Sequence, residues 1–356
     1  MRLNSFDHKT QLDERRALFS ECFPETNGLS ASSEEHYLWK FHGAPNTPHS
    51  LEYGAYDADD LIGYYAAIPF PYRYGNTNFT AAMVCDVMTG IKARGKGVFT
   101  QLGVFSTDAF KNHGFELATG YPIRPEVIPG HLKAGWKKMF QLPLYIKLLN
   151  TQSLLRRRKL GFLSPVANIL LGVFNLPQSL VGRTKHFSIT VYPSAQLEAI
   201  PGLEVFLEQW QSEQVIALRK NLDFLSWRLR APERTYEIFV ATRGEAIVGY
   251  AVTTRTIKEG VPSMAILDLC CLTGHEACVP LLLRSITCTA KRSNMEALLL
   301  MFSKYSAKRY HLLRYGFLRS PFAFWLITKY FGDHIPAEVL YRQESWHLGW
   351  IDSDDL

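Results

Sequence analysis

The chain has 356 residues, of which 47% are apolar, 13% aromatic and 20% charged, with a net charge of +6. That length carries about two domains with cores of their own, and the composition excludes a disordered, collagenous or coiled-coil protein. Six cysteines without a Cys-x-x-Cys pair exclude a secreted disulfide framework and a zinc or redox motif, so no metal is expected and the expected setting is reduced and cytoplasmic.

Residues 1–16 are charged throughout and hold no apolar core segment, so no signal peptide is expected. Residues 52–56 and 61–69 flank Asp57-Ala58-Asp59-Asp60 and predict a hairpin. Residues 81–89 predict a long strand. Its one carboxylate, Asp86, must be paired or face a cleft, and a bulge would change which face it takes. Residues 99–112 predict a helix from the spacing of Phe99, Leu102, Phe105, Ala109 and Phe110, and 115–119 predict a short strand.

Between the long strand and the helix stands Arg94-Gly95-Lys96-Gly97-Val98-Phe99-Thr100. Backbone amides at a helix start, unobstructed by side chains at two glycines and flanked by two cations, make a phosphate site. The turn lacks the Gly-Lys-Ser/Thr ending of a P-loop and the G-x-G-x-x-G spacing of dinucleotide folds.

No acidic residue occurs between Glu126 and Glu198; that window carries +10 and the remainder −4. Its centre is the cluster Arg156-Arg157-Arg158-Lys159 followed by an uncharged apolar run over 160–182. Pro165, Pro177, Asn168, Asn175 and Gln178 make that run too broken and too polar to span a membrane. Two readings stand for 156–180: an interdomain connector packed on its neighbours, and a patch that makes peripheral contact with an anionic membrane or binds an anionic ligand. Basic and aromatic residues do not interleave, so no nucleic acid is expected.

Downstream, strands are predicted over 236–242, 245–254, 264–272 and 297–302, with a helix near 278–291. This order repeats the first half. Tyr37-Leu38-Trp39-Lys40-Phe41 and Phe224-Leu225-Ser226-Trp227-Arg228-Leu229 correspond, as do Ile62-Gly63-Tyr64 and Val248-Gly249-Tyr250. From Trp39, Gly63, Thr89 and Gly135 lie at +24, +50 and +96; from Trp227, Gly249, Thr273 and Gly316 lie at +22, +46 and +89. Two copies of one fold are therefore expected, over 1–150 and 196–356, joined by a basic and apolar connector over 151–195.

Through the turn at 94–100 and the elements around it, the first copy resembles the GNAT (Gcn5-related) N-acetyltransferases over roughly 35–145. Their signature Arg/Gln-x-x-Gly-x-Gly/Ala after the fourth strand reads here Arg94-x-x-Gly97-x-Phe99, with Phe at a position where a small residue is usual. A strand and then a helix ending in Gly-Phe follow in the family; here the latter is Ala134-Gly135-Trp136. The second copy, Leu272 to Cys278, has lost the motif.

The resemblance implies an α/β (α+β) chain of two tandem GNAT-like domains, each a mixed, mostly antiparallel sheet flanked by helices. It implies acetyl-CoA as cosubstrate, held by Val87, Met88 and Thr89 at the strand end and by Arg94, Gly95, Lys96, Gly97, Val98, Phe99 and Thr100 at the turn. The implied reaction is direct attack of a small-molecule primary amine on the thioester. The family's acid position falls on His131, Tyr121 is the other acid candidate, and Asp86 is the base or amine-binding candidate. By analogy the acceptor is an amino sugar of surface polysaccharide. Peptidoglycan-type aminoacyl or longer-chain acyl transfer, and a non-catalytic tandem GNAT, stand as alternatives.

Overall fold

The computed structural model describes residues 1–45, 48–180 and 186–355, with the side chains of Ser30 and of 176–180 left undescribed. Two compact units emerge, and neither is contiguous. Unit 1 holds 1–141, 231–233 and 324–342; unit 2 holds 142–230, 234–323 and 343–356. This division differs from the expected boundaries at 150 and 196, and the reason lies in two strands.

Unit 1 opens with β1 (Arg2–Ser5), α1 (His8–Cys22) and α2 (Glu34–His42). Asp7 caps α1 by accepting from the Lys9 amide, and Ser33 caps α2 by accepting from the His36 amide. There follow β2 (Leu51–Asp57), β3 (Asp60–Tyr74) and β4 (Thr77–Thr89), then α3 (Val98–Asn112), β5 (Leu117–Gly120) and α4 (Ile128–Lys133). The predicted hairpin is β2–β3, antiparallel with Asp57 opposite Asp60. Helix α3 buries Val98, Leu102, Ser106 and Phe110, one row at i, i+4 steps, against Tyr65, Phe115 and Trp136.

The strand β6 (Lys137–Leu148) comes next. After it come α5 (Gln152–Arg157), α6 (Ser164–Leu180), β7 (Ser188–Pro193), α7 (Leu203–Ser212), β8 (Ile216–Leu218) and α8 (Leu222–Arg228). The second copy then runs β9 (Tyr236–Arg243), β10 (Ala246–Lys258), β11 (Val261–Cys271), α9 (Val279–Arg292), β12 (Ala297–Met301), α10 (Lys304–Arg309) and β13 (Leu318–Tyr330). In both units three antiparallel strands lead to a helix and then to a strand parallel to the third, β4–β5 and β11–β12.

The copies exchange their last strands. In unit 2, β6 pairs antiparallel with β12, Leu144 opposite Met301 through Leu148 opposite Ala297. In unit 1, the end of β13 pairs antiparallel with β5, Leu117 opposite Tyr330 through Gly120 opposite Ile327. The sheet of unit 1 thus runs β1-β2-β3-β4-β5-β13, and that of unit 2 β6-β12-β11-β10-β9-β7. The segment 151–195, expected as a connector, belongs to unit 2 as far as it is described. Arg183 and Lys185 lie outside the described residues. No helix among the described residues is long and apolar enough to cross a membrane.

Candidate active site

Strands β4 and β5 pair only from Ala81–Leu117 to Val84–Gly120. Beyond that point β5 stops and β4 runs on to Thr89, held on its other side by β3. The backbone edge of 85–89 is therefore open on the side where β5 ends, and a cleft of about 610 Å³ occupies the gap. Its walls include Val87, Met88, Thr89, Arg94, Gly95, Gly97, Val98, Phe99 and Thr100. Of the residues assigned to the cosubstrate from the sequence, only Lys96 does not line it.

The floor of the cleft is the start of α3. Gly95 and Gly97 have φ of +76° and +80°, left-handed values that glycine adopts without steric cost. Gly97 is the N-cap and offers no side chain to the first turn, so the amides there remain available to an anion. Arg94, Arg124 and Lys133 line the cleft as cations against one carboxylate, Glu126. Arg94 is braced by donation from Nε to the Thr89 carbonyl at 3.2 Å. Arg124 donates to the Cys22 carbonyl at 3.0 Å and pairs with Glu25, which draws the end of α1 into the cleft wall. Thr89 Oγ1 is buried in the cleft wall with no hydrogen-bond partner among the described residues.

Phe99, the departure from the family motif, is accommodated by a local exchange of volume. Its ring lies so close over Gly130 that a Cβ there would come within 2.6 Å of it. It also meets His131 edge-on at 4.9 Å. A small residue at 130 thus makes room for the large one at 99.

Asp86 sits at a bulge. Tyr64 faces Met88 and Ala66 faces Cys85, so Asp86 and Val87 together oppose Tyr65, and Asp86 takes φ +49°. The bulge sends its carboxylate to Arg15 Nη2 at 2.6 Å and Lys40 Nζ at 2.8 Å. Burial raises the Asp86 pKa, but Lys40 and Arg15 outweigh it and hold the group below its ordinary value. A carboxylate clamped by two cations is a poor proton acceptor, so the structure corrects the expectation of a base here. Arg15 belongs to no motif and Lys40 only to the repeated segment 37–41, and the one signal in the sequence for either role is the need of Asp86 for a partner.

His131 is corrected too. It is buried among Tyr65, Phe99 and Trp136 and does not line the cleft. Burial depresses its pKa from 6.5 to about 4, so the ring is neutral at pH 7 and supports Phe99 rather than donating protons. As pH falls, the unfolded chain takes up this proton first, so the stability contributed is lost between the unfolded and folded values. Between about pH 7.5 and about pH 5 this amounts to about 2 kcal/mol. Unfolding free energies from urea titrations at the two pH values should fall further for the wild type than for His131→Gln by that amount; equal falls would refute the assignment.

Tyr121 is buried one residue beyond Gly120, where β5 leaves β4. It adjoins the divergence of the strands without lining the cleft. In unit 2 the corresponding helix α9 starts Val279-Pro280, and Pro280 removes one of the amides that an anion would need.

Residues 8–138 match the family model described as an acetyltransferase (GNAT) domain. No curated protein matches the chain. Among solved structures, a GCN5-related N-acetyltransferase from Anabaena variabilis is 13% identical with a TM-score of 0.64, over 93% of this chain and 73% of that one. A conserved protein of Enterococcus faecalis, described as a probable N-acyltransferase, is 13% identical with a TM-score of 0.58, over 93% and 72%. A GCN5-related N-acetyltransferase from Kribbella flavida is 17% identical with a TM-score of 0.58, over 92% and 70%. At these identities the likeness is one of fold.

Proposed function

We propose, from the premise that residues 8–138 form a GNAT acetyltransferase domain, that unit 1 moves an acetyl group from acetyl-CoA to a primary amine of a small molecule. The observation that carries this is the cleft where β4 outruns β5, floored by two left-handed glycines at the start of α3. Bound there, the cosubstrate supplies an activated thioester. The residues fit its parts. The amides at the start of α3 over 97–100 with Arg94, Arg124 and Lys133 suit a pyrophosphate, and the open edge of 85–89 with the Thr89 hydroxyl suits an amide-bearing arm.

In the transfer, the amine nitrogen bonds to the carbonyl carbon, the carbon–sulfur bond breaks, and one proton passes from nitrogen to sulfur. The chain must hold the amine neutral and give the leaving sulfur a donor. With Asp86 committed to its ion cluster and His131 enclosed by Tyr65, Phe99 and Trp136 as their support, we assign Tyr121 as that donor on its place, one residue past the last β4–β5 pair. Tyr121→Phe should lower kcat about tenfold to a hundredfold with CoA affinity unchanged. Loss of CoA affinity instead would make it a packing residue, and an unchanged kcat would remove it from the mechanism.

The acceptor class follows from the family resemblance, and an amino sugar is the first to test. Thiol release from acetyl-CoA over a panel of amines, amino sugars included, tests the reading. Release with no amine of the panel, together with no calorimetric CoA binding at millimolar concentration, would overturn it in favour of a non-catalytic domain.

A further inference from the structure

Helix α6 is mounted with its polar side inward. Asn168 Oδ1 accepts from the Thr151 amide and hydroxyl at 2.8 Å each, and Asn168 Nδ2 donates to Asn150 at 3.1 Å. One turn pair later, Asn175 Nδ2 donates to the Leu148 carbonyl at 3.2 Å. The asparagines thus fasten the helix to its unit, and the opposite side is apolar. Val166, Ile169, Leu170, Val173 and Phe174 follow the i, i+3, i+4, i+7 rule of one helix face. With Phe162 just before the helix, they are between 51% and 76% exposed. At 1.5 Å per residue the helix is about 25 Å long. The exposed stripe from Val166 to Phe174 spans about 12 Å of it, and a water-exposed apolar face of this kind calls for a covering partner.

Charge identifies the partner. Arg156, Arg158 and Lys159 are exposed just ahead of Phe162 and α6 in the chain, and Arg157, also exposed, reaches Glu259 at 3.6 Å. An isologous contact with a second copy would bring a second set of these cations into the same patch.

We infer that α6 docks the protein onto an anionic lipid bilayer, its outward stripe entering the boundary between headgroups and acyl chains while the exposed cations of 156–159 meet lipid phosphates. Lying in the interface requires no spanning length. The inference is independent of the acyl-transfer reading.

The test is co-sedimentation of the full chain with vesicles of phosphatidylcholine, with and without phosphatidylglycerol. The wild type should bind the anionic vesicles at low salt at least about tenfold more tightly than the neutral ones, and be released as salt rises. Ile169→Gln with Leu170→Gln, and separately Arg156→Gln with Arg158→Gln, should each weaken binding at least about tenfold. These side chains are exposed, so unchanged thermal melting should accompany the loss. Val205→Gln, an exposed apolar position on α7, should bind as the wild type does. Failure to bind anionic vesicles, or equal binding by the α6 variant, overturns the inference. So does a dimer, seen by light scattering, that the α6 variant dissociates while no vesicle binding occurs.

Discussion

Gly95→Glu weakens CoA binding at least about 100-fold, whereas Gly95→Gln weakens it about tenfold. The difference isolates charge from shape. Gly95 has φ +76°, where any side chain costs about 1–2 kcal/mol, which is close to tenfold in affinity if the turn must relax. A Cβ at 95 meets nothing within 4 Å, so sterics inside the protein add little and both variants fold. The carboxylate, unlike the amide, then stands in the cleft where the amides of α3 and Arg94 are arranged for an anion, and repels a pyrophosphate. Calorimetry with CoA checks this. Equal losses for the two variants would mean that the turn serves shape alone, and no loss for either would place the cosubstrate elsewhere.

The predictability of this site from the sequence reflects locality. Residues 94–100 are contiguous, and a glycine-rich turn between a strand and a helix carries its chemistry in its backbone, so the residue types suffice to find it. The same holds for the β2–β3 hairpin and for α3 and α9, whose periodicities follow from neighbours three and four apart. The catalytic candidates are non-local. Whether Asp86 faces a cleft or a cation depends on a bulge and on Arg15, which lies 71 residues away in the chain. Whether His131 faces solvent depends on Tyr65, Phe99 and Trp136 closing around it.

The exchanged strands show the same limit differently. Phe140, Leu142, Leu144, Ile146 and Leu148 alternate at period two, as do Phe322, Phe324 and Leu326, so β6 and β13 are legible as strands. The copies expected over 1–150 and 196–356 nevertheless keep β6 with the first and β13 with the second, whereas β6 pairs with β12 and β13 with β5. Even a correct strand assignment does not say which sheet edge the strand will join, because alternation records a buried face and not a partner. Helix α6 adds a case where the pattern is visible and its sense is not. An apolar stripe opposite two asparagines reads by default as apolar side in, and here Asn168 and Asn175 take the inner side.

Lys220→Met is expected to destabilise the protein by about 3–5 kcal/mol, a large effect for a single side chain. Lys220 and Asp268 are both fully buried, with Nζ 2.8 Å from the carboxylate oxygens, and the Trp210 ring lies 4.2 Å from the same ammonium. Burial by itself pushes the Lys220 pKa down and that of Asp268 up. Each partner more than reverses this for the other, so the lysine is raised and Asp268 lies well below the ordinary carboxylate range. Tyr250 donates to the same carboxylate, and His347 Nε2 stands 3.7 Å from it. Removing the lysine leaves a charge in the core with hydrogen bonds but no counter-ion, and the chain must keep it unpaired or protonate it.

Two consequences separate this from ordinary loss of packing. The first is pH dependence. In the wild type, a depressed Asp268 contributes stability above its unfolded value near 3.9, lost as pH falls through the folded one. In the variant the folded value is raised, so stability is lost as pH rises. Urea midpoints of the two proteins should therefore converge as pH falls from about 7 toward about 4. The second is rescue. Lys220→Met with Asp268→Leu removes both charges, and roughly half or more of the lost stability should return, because a pair of apolar side chains carries no desolvation cost. Parallel midpoints across pH, with no recovery in the double variant, would show that Lys220 acts through its aliphatic stem against Trp210 and not through its charge.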